Sequence, residues 1–78
     1  MTNKERKLKI MNEAVRHALQ VAKKKGNTAE AMLIGIDYAM GAIGDQMIDN
    51  FTKEDMREVN ALFIFNLTLT AYQKKENA

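Results

Sequence analysis

The sequence predicts an all-α fold, a three-helix antiparallel up-down-up bundle, from three observations. The 78 residues include no proline and only four glycines, so little interrupts a helix. Three capping signatures of helix starts follow one another at even spacing, in Thr2 with Glu5, Asn27 with Glu30, and Thr52 with Asp55. The chain is long enough for only one domain, residues 1–78. We therefore expect near-equal helices over about 3–25, 28–50 and 53–75, joined by very short loops that make neighbouring helices antiparallel.

The first predicted helix ends in Lys23, Lys24 and Lys25 before Gly26, because cations and a left-handed glycine both suit a helix C-terminus. Its apolar residues follow the three-and-four spacing of a bundle seam: Leu8, Met11, Val15, Ala18 and Ala22, flanked by Ala14 and Leu19. The opposite side carries a basic line of Lys9, Arg16 and Lys23. With Lys24, this line is a candidate contact for an anionic partner, and a solvated helix face is the alternative.

The second predicted helix has a broad apolar face and a back of mostly small residues. The expected core face contains Met32, Leu33, Ile36, Ala39, Met40, Ile43 and Met47, with Phe51 at the end. The back contains Ala31, Gly35, Tyr38 and Ala42. Because glycine in a helix costs about 1 kcal/mol relative to alanine, Gly35, Gly41 and Gly44 need a reason. The two candidates are close packing of another helix and a kink near Gly41–Gly44.

The third predicted helix is apolar on two sides. One face carries Met56, Val59, Phe63 and Leu67, and the nearly opposite face carries Leu62, Phe65, Leu69 and Tyr72. Leaving four large apolar side chains in water forgoes roughly 6–10 kcal/mol. We therefore expect the second face to be an oligomer or partner interface, with Ala31, Gly35, Tyr38 and Ala42 contributing. The alternatives are a central third helix wrapped by both neighbours, and a strand over residues 63–70, where β-branched and aromatic residues gather.

The residue types exclude several chemistries. Without cysteine there is no disulfide or thiolate site, and no glycine-rich phosphate loop follows a strand. The single histidine, His17, stands four positions after Glu13 on a polar helix face, where a surface pair is expected. We expect no catalytic residue, cofactor, small-molecule substrate or metal. A hard-cation site at Asp37, Asp45 and Asp49 is the alternative.

The predicted function is therefore binding without catalysis. We expect a homo-oligomer, or an adaptor or inhibitor that regulates another protein. The usage of lysine, asparagine, isoleucine and methionine is similar to that of small accessory proteins of low-GC bacteria and their phages or plasmids, so the regulated protein would be a host or mobile-element factor.

Two other functions stay open. The first is nucleic-acid association through the basic first helix, although no aromatic residue is interleaved there to stack a base. The second is a carboxylate-dependent metal or nucleotide enzyme. The net charge of +2 does not favour nucleic acid by itself, and no apolar run is long enough to cross a membrane. With no secretory signal, a cytoplasmic location is expected.

Overall fold

The computed structural model describes the backbone of residues 2–76 and the side chains of residues 2–71 and 73. It contains α1 (Asn3–Lys24), α2 (Ala29–Met47) and α3 (Lys53–Glu76). Each helix packs against the other two, in a molecule measuring 38 × 21 × 18 Å. The predicted all-α three-helix bundle is confirmed. None of the described helices is long and apolar enough to span a membrane.

The helix starts follow the predicted caps at two of three places. The Thr2 hydroxyl accepts a hydrogen bond from the Glu5 amide at 3.2 Å. Thr52 and Asp55 bond reciprocally, each side chain accepting from the other residue's amide. The N-cap of the second helix is Thr28, one residue after the predicted cap Asn27. The Thr28 hydroxyl accepts a hydrogen bond from the Ala31 amide.

Asn27 instead helps to end α1. Gly26 and Asn27 adopt φ angles of 95° and 57°, the left-handed region. The Gly26 amide donates to the Lys23 carbonyl at 3.3 Å, and the Asn27 amide donates to the Ala22 carbonyl at 2.8 Å. This pair of bonds is the Schellman motif, which satisfies carbonyls that the last turn leaves without partners. The predicted glycine cap is correct, and Asn27 belongs to the same cap.

The strand alternative for residues 63–70 is wrong, since α3 runs through the whole segment. Two polar side chains there are satisfied within the helix. The Asn66 amide donates to the Leu62 carbonyl at 2.8 Å, and the Thr70 hydroxyl donates to the Asn66 carbonyl at 2.9 Å. Bonding back to the carbonyl four residues earlier lets polar residues sit in a helix without unpaired groups.

The contact between α1 and α2 is made of small residues spaced four apart. These residues are Ala14, Ala18 and Ala22 on α1, and Ala31, Gly35 and Ala39 on α2, all of them buried. A Cβ atom on Gly35 would lie 2.5 Å from the Ala18 carbonyl oxygen, so the two backbones almost touch. The two helices thus pack through rows of residues spaced four apart. The sequence pattern predicts alternating spacings of three and four instead.

Three predicted core residues are consequently wrong. Leu8, Leu33 and Met40 are exposed, Leu33 by 66%. These residues lie beside the rows of small residues that face the other helix. Ile10, assigned to no face from the sequence, is buried in the core instead. Helix α2 also continues past Gly41 and Gly44, where an added Cβ would meet no described atom within 4 Å, so close packing explains Gly35 but neither of these two glycines.

The predicted inner face of α3 is correct. Val59, Phe63 and Leu67 are buried, and they join Ile43 and Met47 of α2 in one core. The alternative of a central α3 is wrong, because Phe65 on the other side of the helix is 63% exposed.

Candidate interaction surface

The second apolar face of α3 is partly open to solvent. Phe65 is 63% exposed and Leu69 39% exposed, whereas Leu62 is half-buried and packs against the core. The fourth predicted member, Tyr72, has a side chain outside those described. The face therefore offers a continuous apolar stripe centred on Phe65.

Ion pairs fix the position of this stripe beside α1. The Lys7 ammonium bonds the Asp55 carboxylate at 3.1 Å and the Glu58 carboxylate at 2.9 Å. Leu62, Phe65 and Leu69 continue from these two acids at alternating spacings of four and three, so they lie on the same side of α3. The stripe therefore borders the groove between α3 and α1.

Helix α1 supplies the other border of that groove. Leu8 follows Lys7 and is exposed, and Val15 and Leu19 lie further along the same side of α1, half-buried against the core. Together with the α3 stripe they form what we call the α1/α3 strip: Leu8, Val15, Leu19, Leu62, Phe65 and Leu69. The sequence places Leu8 and Val15 in the core seam of α1 and Leu19 on its flank, so it does not indicate their contribution to this strip.

The pKa values of the ion-pair residues reflect these contacts. The Lys7 pKa is raised, first by its bond to Glu58 and then by its bond to Asp55. The Asp55 pKa is lowered, first by the Thr52 backbone amide and then by Lys7. One carboxylate thus caps α3 and ties it to α1.

The small-residue part of the predicted interface lies elsewhere. Ala31 and Gly35 are buried inside the α1/α2 contact, so they are not available to a partner and their assignment to the interface is corrected. Ala42 is half-buried at the same contact, in a depression that also includes His17 and Gln46. The helix that approaches the small-residue stripe closely is α1 of the same chain.

Tyr38 is exposed by 60% but belongs to a different surface from the α3 stripe. It lies at the seam of α1 and α2, in an open depression that we call the Tyr38 depression, lined by Tyr38, His17, Val21, Lys24 and Lys25. The structure thus separates Tyr38 from Phe65 and brings it to the basic end of α1. No spacing rule within one helix could show this, because the residues come from two helices.

The predicted basic line is solvent-exposed along its whole length. Lys9, Arg16, Lys23 and Lys24 all lie on the surface. In the described part of the chain, the ion pairs involve Lys7 and Arg57 and none of these four residues. Their charge is therefore free to act on an external anion.

Among the described residues, no group of three or more histidine, aspartate or glutamate side chains is placed to hold a metal ion. Comparisons of the chain with protein families, with curated proteins and with solved structures gave no match. The surfaces described above are therefore the basis for proposing a function.

Proposed function

We propose that this protein acts by binding rather than catalysis, and that the α1/α3 strip associates with a second copy of the chain. The exposure of Phe65 at the centre of the strip carries the proposal. A fully buried side chain of this kind contributes about 1.5–3 kcal/mol relative to the exposed state. In a dimer each of the two copies buries the exposed residues of its own strip, and this burial favours self-association.

The charges near the strip support an antiparallel pair. Lys7 of α1 bonds Asp55 and Glu58 of α3, which are 48 and 51 positions later in the chain. A residue of α3 therefore lies at the same height along the bundle as the α1 residues 48–51 positions before it. In an antiparallel pair of α3 helices centred on Phe65, Glu58 of one copy lies at the level of position 72 of the other. That level corresponds to positions 21–24 of α1, where Lys23 belongs to the exposed basic line. An acid of each copy thus approaches a lysine of the other, as an isologous dimer requires.

Light scattering across a hundredfold range of protein concentration tests the proposal. We expect the wild-type mass to rise towards a dimer, and Phe65→Glu to keep the chain monomeric. Ile48→Glu is the matched control, because Ile48 is 69% exposed in the loop after α2 and lies off the strip. If the wild type is a monomer at every concentration, self-association is refuted. The strip would then be tested for binding to a different protein.

The antiparallel register has its own test. Lys23→Glu places an acid opposite Glu58 of the second copy, so it weakens association. Lys9→Glu makes the same charge change on the same helix at a level where the second copy carries no acid in this register. Equal weakening by the two variants excludes the register.

A further inference from the structure

The Tyr38 depression combines an aromatic face with cations from a second helix. Tyr38 of α2 lies with Val21 of α1, and Lys24, Lys25 and His17 of α1 complete the lining. Lys24 also lines a neighbouring depression with Gln20 and Lys23, so the basic surface continues along α1. The aromatic residue that the basic helix lacks in sequence is supplied by α2.

The side chains that line the Tyr38 depression include two lysines and no carboxylate, which suits an anion. Neither Lys24 nor Lys25 pairs with a carboxylate among the side chains that the structure describes. The nearest acid along α1, Glu13, lines a separate depression on the side of His17 away from the lysines. Asp37, which precedes Tyr38 in α2, is exposed and does not line the Tyr38 depression. A ligand at Tyr38 therefore meets an apolar floor and a cationic rim.

We infer that the Tyr38 depression binds a nucleotide unit, with the base stacked on the Tyr38 ring and the phosphate held by Lys24 and Lys25. Stacking on an exposed aromatic ring beside a positively charged track is how proteins bind single strands without reading their sequence. A base paired inside a duplex has no free face to offer. The ligand is thus a single-stranded nucleic acid or a free nucleotide, which share this chemistry.

The inference is independent of the proposed self-association. The α1/α3 strip faces the side of α1 marked by Lys7, whereas the Tyr38 depression opens on the side that faces α2. A monomeric Phe65→Glu chain keeps the depression intact. Failure of one proposal can therefore be distinguished from failure of the other.

Fluorescence anisotropy with a short labelled oligothymidylate at low salt tests the inference. Tyr38→Ala is expected to weaken binding by about fivefold or more, the loss typical of one stacked base. Tyr38→Phe keeps the ring and binds like the wild type. Leu33→Ala is the matched control, because Leu33 is a similarly exposed apolar residue of the same helix. These positions are exposed, so circular dichroism should show each variant folded.

The phosphate contacts are tested with Lys24→Gln/Lys25→Gln against Lys4→Gln/Lys9→Gln, which remove the same charge from the other end of α1. The first pair should weaken binding more and reduce its salt dependence more. An abasic strand of equal length, competing less well than oligothymidylate, supports stacking. Competition by free thymidine monophosphate at similar concentration identifies a nucleotide site, and its failure identifies a strand.

Two results overturn the inference. One is unchanged affinity of Tyr38→Ala with equal losses for the two lysine pairs, which indicates diffuse attraction by the whole basic helix. The other is no binding of any of these probes at low salt, which makes the depression a simple surface feature.

Discussion

Replacing Gly35 by alanine tests the closest contact in the fold. The added Cβ would lie 2.5 Å from the Ala18 carbonyl oxygen, about 0.9 Å short of ordinary contact. That oxygen belongs to the backbone of a fully buried residue and cannot rotate away, so α1 and α2 must separate. Separation loosens the neighbouring alanine contacts as well.

The expected magnitude is the difference between two effects. Alanine gains about 0.8–1 kcal/mol over glycine in a helix. Overpacking a close contact costs about 1–3 kcal/mol. Gly35→Ala should therefore change the free energy of unfolding by between about zero and a loss of 2 kcal/mol. Gly41→Ala keeps the gain without the clash, since no atom of the described residues lies within 4 Å of its new Cβ. It should stabilise the protein by about 1 kcal/mol.

Urea denaturation followed by circular dichroism, at one fixed protein concentration, measures both changes. The two variants should differ by about 1–3 kcal/mol, a large part of the ~5–15 kcal/mol expected for a domain. Gly44→Ala provides a second open position, and it should behave like Gly41→Ala. Equal stabilisation by Gly35→Ala and Gly41→Ala would refute the close approach of α1 and α2.

Three other predictions follow from single positions. Phe63→Ala should lose about 3–5 kcal/mol of unfolding free energy because Phe63 is fully buried, whereas Phe65→Ala should cost far less in dilute protein, as denaturation would show. Asp55→Asn should destabilise the protein at neutral pH but not in acid. The lowered pKa of the Asp55 carboxyl adds stability that is complete above its ordinary pKa of 3.8, and this stability disappears as the pH falls through the lowered pKa. Glu54→Gln is its control, since among the described side chains Glu54 pairs with a single exposed arginine at 3.8 Å, and a similar acid profile for both variants would contradict the role of Asp55. Asn60→Leu should raise the melting temperature, because the side-chain Oδ1 of Asn60 is buried without a hydrogen-bond partner among the described residues, and a lower melting temperature would indicate that this oxygen is paired.

The helices could be predicted because their signals are local. Thr2 and Thr52 bond residues three positions away, and such contacts depend only on the helix that they begin. Gly26 likewise ends α1 through bonds within one turn. The error at Asn27 had a local cause too, since its side chain type suits both a helix start and a left-handed cap.

The packing could be predicted only in part, because the periodicity of large apolar residues does not show which face another helix approaches. On α3 the apolar residues of one face, Val59, Phe63 and Leu67, do form the core, so the position predicted for Phe63 is correct. On α2 the small residues Ala31 and Gly35 face inward, and the larger Leu33 stays outside. A row of small residues spaced four apart is the signal that could have indicated this contact.

The contact of small residues between α1 and α2 also explains why this chain exposes so many large apolar side chains. Helices that meet through alanine and glycine lie close together and bury little volume between them, so large residues beside the contact such as Leu33 and Met40 stay exposed. Helix α3 covers one groove with Phe63 and leaves Phe65 uncovered on its outer side. Exposed apolar area of this kind is typical of interaction sites. Because the α1/α3 strip and the Tyr38 depression lie on different sides of α1, occupation of the strip by a second copy would leave two Tyr38 depressions open on one dimer. Such a dimer could hold two points of one strand, so disrupting the strip should weaken binding to a long strand while binding to a short one is unchanged.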